Sequence, residues 1–458
     1  MSVNVSIDTI SHLRTTLTGS VIEPHDEGYD EARRVYGGFD RRPVAVIRPA
    51  DVDDVVRVVI FARETGLELA VRGGGHSNAG HSVTEGGIVL DLQDLSEIEI
   101  DVEGRTAWAQ GGATAGAYTA AAGAHELATG FGDTGSVGIG GITLGGGIGF
   151  LVRKHGLSID NLLAAEIVTA DGEVLVADES DHPDLFWAIR GGGGNFGVVT
   201  RLRFKLFPLP SVLGGILVLP ATSEVVAGFI AEAEAAPDEL STIANVMPAP
   251  PMPFLPEELH GSMIVLAFLV HSGPEEEGDR VLAPFRALAT PLADFIQRIP
   301  YSAMFPPEEH GEQPSAVAST MFMDGVDREM ADTIISYLES SDASMRAIQL
   351  RVLGGAVTRV PADATAFAHR DSKIMVNVAA FYEGPEEKVV REAWVADFMA
   401  AIRQSDSGAY VNFLGDESPD RVRDAYPGET WNRLRAIKAQ YDPDNFFHLN
   451  QNIPPAAG

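Results

Sequence analysis

Cysteine is absent from all 458 residues. Disulfides, thiolate metal sites, iron–sulfur clusters and cysteine nucleophiles are excluded together. Lysine is scarce: Lys154, Lys205, Lys373, Lys388 and Lys438 are the whole complement, so arginine carries most of the cationic charge. Positive charge is in deficit overall, with 33 Lys and Arg against 65 Asp and Glu and a formal net charge of −32. Repulsion then disfavours nucleic acid and anionic membrane as partners. Dense carboxylates beside few lysines fit a salt-adapted protein and an ordinary acidic protein equally well. No apolar run reaches the ~20 residues of a membrane span, and the opening MSVNVSIDTISHLRTTLTGS has neither a basic n-region nor an apolar h-region. The expectation is a cytoplasmic protein. No repeat period or heptad is present, so the oligomeric state is not legible.

What is present is a hydrophobic fraction of 45% on a chain long enough for two domains. Pro43 to Ile47 reads as a strand, Asp51 caps a helical pattern through Val55, Val56, Val59 and Ile60, and Gly66 ends it. Leu67 to Arg72 reads as a strand that runs into Gly73, Gly74, Gly75, His76 and Ser77. Further short strands follow, with a hairpin at Glu103-Gly104 and another at Asp171-Gly172. Pro208 and Pro210 mark a boundary, after which glycine thins out and amphipathic helical patterns such as Ser223 to Ala236 and Glu386 to Ile402 appear. The fold class expected is α+β. The division predicted is 1–209 (core about 38–209), 210–405, and a tail 406–458 returning to the first part.

Three glycine tracts fall in the first part, at 73–75, 130–149 and 191–194. Glycine is needed where backbone must approach a ligand closely, and successive free N–H groups hold anions. Together the tracts suggest a large phosphate-bearing ligand, although each alone also fits a tight turn. Gly192 to Gly197 matches G-x-G-x-x-G, but a helix precedes it and a strand follows, the reverse of the dinucleotide fingerprint. No P-loop sequence occurs. Gly75-His76-Ser77-Asn78-Ala79 nearly matches a serine-hydrolase elbow, yet the chain continues into more glycine instead of a helix.

The ordered set Arg72 to Ser77, Gly135 to Gly141, Leu144 to Gly149, Asp184 to Arg190 and Gly194 to Thr200 resembles the FAD-linked oxidases of the vanillyl-alcohol oxidase/p-cresol methylhydroxylase superfamily, and within it the berberine-bridge-enzyme group. The resemblance resumes at Tyr410-Val411-Asn412 and at Tyr441 to Phe447, ending at Asn450 to Ile453. It implies a two-part FAD-binding domain of the p-cresol methylhydroxylase type, plus a substrate domain whose antiparallel sheet is covered by helices.

Carried over by residue, the resemblance implies that Arg72, Gly73, Gly74, Gly75 and Ser77 wrap the FAD pyrophosphate and that His76 bonds covalently to the flavin. It further implies that Thr134, Gly135, Ser136, Val137, Gly138 and Gly141 continue around the cofactor, that the backbone of Val198 touches it, and that Asn450 and Asn452 meet the isoalloxazine. A neutral imidazole is a competent nucleophile for such a bond. Thr134 stands where many relatives carry a second, cysteine tether, so one tether through histidine is expected.

The activity implied is oxidation of a small alcohol, sugar or cyclic amine by hydride transfer to flavin N5. The resemblance implies Tyr410 as base beside Asn412, and strand alternation is expected to place the two on one face. A tyrosine pKa of ~10 requires a nearby cation or hydrogen bonds to stabilise its anion. By the resemblance, valine at position 137 leans towards O2 as acceptor, against a dehydrogenase using another carrier; a non-catalytic flavin-binding or storage protein is the remaining reading. His369 and Arg370 are candidates for the substrate side, and Tyr118 for the cleft or the helix core.

Overall fold

The structure is a computed structural model that describes residues 7–306, 315–406, 408–415 and 418–457. Its first part is built on two sheets. In the smaller, the strands run in the order Ser20–Ile22, Ala45–Arg48, Ile88–Asp91, Leu69–Arg72, with the last three parallel. The helix Val52–Thr65 makes the parallel crossover. Asp51 caps it by accepting from Asp54 N, and Gly66 closes it at φ 69°, as its sequence signals predict. Its buried face is Val55, Val58, Val59 and Ala62, rotated from the predicted one because Val56 and Ile60 lie at its margin.

The second sheet is antiparallel, in the order Ile98–Asp101, Thr106–Gln110, Val198–Lys205, Leu162–Val168, Val174–Ala177. Both predicted hairpins are present. Gly172 supplies a left-handed turn at φ 81°, where a side chain would be strained.

Val212–Pro220 opens an eight-stranded sheet, antiparallel throughout. From it the order runs Met263–His271, Leu240–Pro248, Arg346–Val352, Ile374–Tyr382 and, at the edge, Ser315–Met323. One face is apolar and lies under the helices Ser223–Ala235, Glu275–Ala287, Arg328–Ser340 and Pro385–Ala401: Ile348, Leu350, Val376, Val378 and Ala244 pack with Phe229, Phe285, Leu338 and Phe398. The residues alternating with these, among them Asn245, Gln349, Arg351 and Asn377, therefore face the other way. That opposite face is where the cavity described below lies.

The C-terminal stretch packs on the first part. Phe447 joins the core around the small parallel sheet, while Leu434 and Ile437 of the helix Glu429–Tyr441 join the core that holds Trp187. Among the described residues, no helix is long and apolar enough to cross a membrane.

His155 stacks on Phe207 at 3.9 Å between ring centres, and burial, aided by Lys154 and Lys205, depresses its pKa to about 4. A depressed pKa means that the unfolded chain takes up the proton first, so the associated stability is complete above pH ~6.5 and is lost as pH falls towards 4. The native protein should therefore lose more urea resistance between pH 7 and 4.5 than His155→Phe does. Parallel losses in the two proteins would refute this.

Candidate active site

A cavity of about 480 Å³ lies among the glycine loops, within the roughly 300–1,000 Å³ usual for small-molecule and cofactor sites. One wall is Gly73 to Asn78, leaving the strand Leu69–Arg72; a second is the stretch Gly132 to Ile142; a third contains Gly193, Gly194, Asn195 and Gly197. The C-terminal residues Asn450 and Gln451 close one side, and Tyr410, Asn412, Gln349, Arg351 and Asn377 lie on another.

The first two loops meet backbone to backbone. A Cβ on Gly74 would stand 2.2 Å from Gly138 N, and one on Gly138 would stand 2.3 Å from Gly74 N. Neither position admits a side chain without separating the loops. Gly141 and Gly194, by contrast, have nothing within 4 Å of where a Cβ would be.

His76 is held at the edge of this cavity. Its Nε2 lies 2.8 Å from Ser136 Oγ, and its ring stacks on Tyr36, with 4.8 Å between centres. Tyr36 is itself anchored by its backbone N–H to Gly75 O.

Tyr410 is buried, and its phenol oxygen accepts three N–H groups: Gly147 N at 3.0 Å, Ile148 N at 3.2 Å and Asn412 Nδ2 at 2.9 Å. Burial pushes its pKa above the ordinary 10, while these three bonds and the Arg351 charge pull the other way. Arg351 is buried, donates to Ile148 O at 3.0 Å, and pairs with Asp133 at 2.7 Å.

Several sequence expectations need correction. Tyr410 and Asn412 do not share a strand face: Val411–Phe413 is a single 3₁₀ turn, and it is this turn that brings the Asn412 amide onto the Tyr410 oxygen. The Arg72 side chain points away from the cavity. Parallel register pairs it with Asp91, whose buried carboxylate it holds at 2.8 Å, so it props the strand that launches the glycine loop. His369 and Arg370 do not reach the cavity either. His369 Nε2 lies 3.1 Å from Asp424 O, and Arg370 makes two 2.8 Å bonds to Asp160, because the loop before the strand Ile374–Tyr382 tucks both inward.

Val198 is turned into the core while its neighbours Gly197 and Val199 line the wall. Gly135 stands behind the wall against Gly116, and Ser136 bears on the cavity through His76. Tyr118 is a core residue, edge-on to Phe131 and Phe204.

Tyr36, Asp133, Gln349, Arg351 and Asn377 were missed. The signal for the strand residues was available: polar side chains at alternate positions of the otherwise apolar RAIQLRV and IMVNVAA mark a face that the covering helices do not bury.

The lining fits a flavin dinucleotide on its own terms. Close-packed glycine backbone leaves N–H groups available to phosphate. The side-chain oxygens of Asn450 and Asn452 are buried without a partner among the described residues, and Asn450 lines the cavity, so an N–H of a ligand can satisfy it. Gly192 to Gly197 follows the helix Pro183–Ile189 and precedes the strand Val198–Lys205, an order that does not suit a nicotinamide-type βα turn. The class these residues suit is a flavin-dinucleotide-binding protein.

Comparison with known proteins gives the family. The family described as FAD binding domain matches residues 43–178, and the one described as berberine and berberine like matches 409–454. The (R)-6-hydroxynicotine oxidase of Paenarthrobacter nicotinovorans is 33% identical over 97% of this chain and 99% of its own. The solved 6-hydroxy-D-nicotine oxidase of Arthrobacter nicotinovorans superposes with a TM-score of 0.84 at 28% identity, over 96% of this chain and 99% of that one. The xylooligosaccharide oxidase of Myceliophthora thermophila, solved with xylobiose, gives 0.85 at 25% identity, over 98% and 100%. This chain belongs to the FAD-linked oxidoreductases of the berberine-bridge-enzyme-like family.

Proposed function

We propose that the protein is an oxidase of a small organic substrate, with FAD covalently held by His76 as its single tether, Tyr410 as base and O2 as electron acceptor. The observation that carries this reading is that His76 and Tyr410, from opposite ends of the sequence, line one cavity. Bound FAD supplies an acceptor for the hydride leaving a substrate C–H bond.

The chain's own residues do the rest. Gly73 to Ser77, Val137, Gly138 and Gly141 hold the cofactor, and Asn450 offers it an acceptor. Tyr410, as its phenolate, takes the hydroxyl proton of an alcohol or sugar and becomes the neutral phenol; the three N–H groups on its oxygen, with Arg351 behind them, stabilise the phenolate before that transfer. Relatives named for hydroxynicotine and xylooligosaccharide oxidation support a ring-bearing substrate. Val137 lines the cavity, in keeping with access for O2.

Acid precipitation tests the tether. Native protein should keep its yellow colour in the pellet, while His76→Ala should release it to the supernatant. Native protein that releases all its flavin refutes the covalent bond. Mixing substrate-reduced enzyme with aerated buffer tests the acceptor: rapid reoxidation is expected, and reoxidation only by an added quinone would make the enzyme a dehydrogenase.

A further inference from the structure

Tyr410 owes its surroundings to a glycine pair that takes no part in holding the cofactor above. Gly146 and Gly147 have φ of 133° and 86°, values open to glycine and strained for other residues. Through that backbone the N–H groups of Gly147 and Ile148 converge on one phenol oxygen, at 3.0 and 3.2 Å. Successive N–H groups turned to one point hold an anion.

Each of the two peptide planes is gripped from behind. Gly146 O shares a plane with the N–H of Gly147 and accepts from Ile159 N at 3.1 Å; Gly147 O shares a plane with the N–H of Ile148 and accepts from Ser158 N at 3.0 Å. A hydrogen bond at the carbonyl polarises the amide and strengthens the bond its N–H gives. Both donors sit on the 3₁₀ turn Ser158–Asn161. Asp160 closes that turn by accepting from Leu157 N at 2.8 Å. Arg370 holds both Asp160 oxygens at 2.8 Å and is itself fixed by Thr365 Oγ1 at 2.7 Å and Phe367 O at 3.2 Å. The guanidinium is buried and the carboxylate nearly so.

This pair works at one remove. Among the described residues neither Asp160 nor Arg370 hydrogen-bonds to Tyr410, and opposite charges so close together largely cancel at longer range. Burying such a pair seldom stabilises a fold more than apolar residues would; what it supplies is fixed geometry. Other charged groups on the elements around Tyr410 are committed elsewhere: Arg351 to Asp133, Arg153 to the carbonyls of Ala233 and Ala236, Lys154 to Ser272 O, and Arg190 to Phe186 O. His155 is stacked on Phe207, His369 faces Asp424 O, and Asp406 accepts from Ser372.

We propose that Gly146, Gly147 and Ile148 form an anion hole preorganised for the Tyr410 phenolate, and that Asp160 and Arg370 are positioning residues that keep it in shape through the turn between them. The proposal rests on the reading of Tyr410 as base, and it gives Arg370, which lies outside the cavity, an indirect part in the chemistry.

The holoenzyme is made with difluorotyrosine in place of Tyr410. The ring fluorines bring the phenol's titration into a range the fold withstands and report it by fluorine NMR without any substrate. In Asp160→Asn the titration should move up by about one pH unit, a roughly tenfold loss of preference for the anion, as when a bond to a charged acceptor is weakened. Arg370→Lys keeps the charge and loses the two-pronged grip, and should move it in the same direction. Gly147→Ala changes no charge, but its Cβ would collide with the Ser158 side chain, and it too should move the titration up. All three are compared at flavin content equal to native.

A direct effect of charge would send Asp160→Asn the other way, since it leaves a lone guanidinium, and would leave Arg370→Lys unmoved. Either result overturns the proposal, as does a titration unmoved in all three. Should Asp160→Asn or Gly147→Ala fail to fold, Arg370→Lys decides alone. The base reading fails separately: titrations that move as expected, in an enzyme whose Tyr410→Phe variant reduces flavin as fast as native, would support the hole and refute the base.

Discussion

Tyr410→Phe should keep its FAD yet reduce it some 10²- to 10⁴-fold more slowly than native at saturating substrate, the range for loss of a general base. The substitution deletes one oxygen from a buried ring and leaves the ring's contacts with Phe367 and Phe413 in place, so the fold should tolerate it. What is lost is specific. The phenol oxygen accepts three N–H groups, from Gly147, Ile148 and Asn412, and among the described residues nothing accepts its proton. A neutral phenol has two lone-pair directions; a phenolate has room for three donors. Desolvation nevertheless keeps the pKa above its usual value, since it outweighs those bonds and Arg351 together.

The pH dependence follows from that sign. A base with a raised pKa is mostly protonated at neutrality, so native flavin reduction should climb close to tenfold per pH unit from about 7 to 9 without levelling. The Tyr410→Phe rate should be flat over the same interval. Stopped-flow reduction under anaerobic conditions measures both. Equal rates in the two proteins, or a native profile already flat at pH 7, would remove Tyr410 from proton transfer.

Lys438→Met should cost about 3–5 kcal/mol in urea unfolding, as removing one member of a buried ion pair does. Lys438 is completely buried and spends all three protons: on Asp442 Oδ2 at 2.6 Å, Phe447 O at 2.9 Å and Asn195 O at 2.5 Å. Burial lowers its pKa and Asp442 opposes the shift. Asp442 in turn accepts from Phe446 N and Phe447 N, and Asn195 bonds to Gly192, Gln451 and Ile453.

One ammonium thereby pins the C-terminal stretch to the third glycine loop, which is a cavity wall. Loosened FAD contacts should accompany the stability loss. The double change Lys438→Met with Asp442→Leu should recover part of it, because it removes the stranded carboxylate. A single variant as stable as native, or a double variant worse than the single, would count against this account.

Local physics made much of this legible. The helix Val52–Thr65 could be read from Asp51 and Gly66, and the hairpins from their Gly turns, because caps and turns depend on a few neighbouring residues. The glycine tracts announced a backbone that approaches a ligand. His76 could be placed on a loop leaving a strand, and its ordered companions carried the family. By contrast, Arg72 looked like part of the cofactor loop and is a prop for Asp91, since which way a side chain turns depends on the strand paired beside it. His369 and Arg370 looked exposed to substrate for the same reason and are buried against Asp424 and Asp160.

The sequence by itself therefore determined the fold class and the glycine loop that carries His76, which rest on glycine, caps and periodicity acting over a few residues, and its ordered motifs carried the resemblance that implied the flavin. Only the tertiary structure decided what surrounds the reacting groups. Tyr410 meets Gly147 and Ile148, His76 meets Ser136 and Tyr36, and Asn245, Gln349 and Asn377 share one sheet face because non-local register and packing bring distant segments together, and no local pattern encodes which partner arrives.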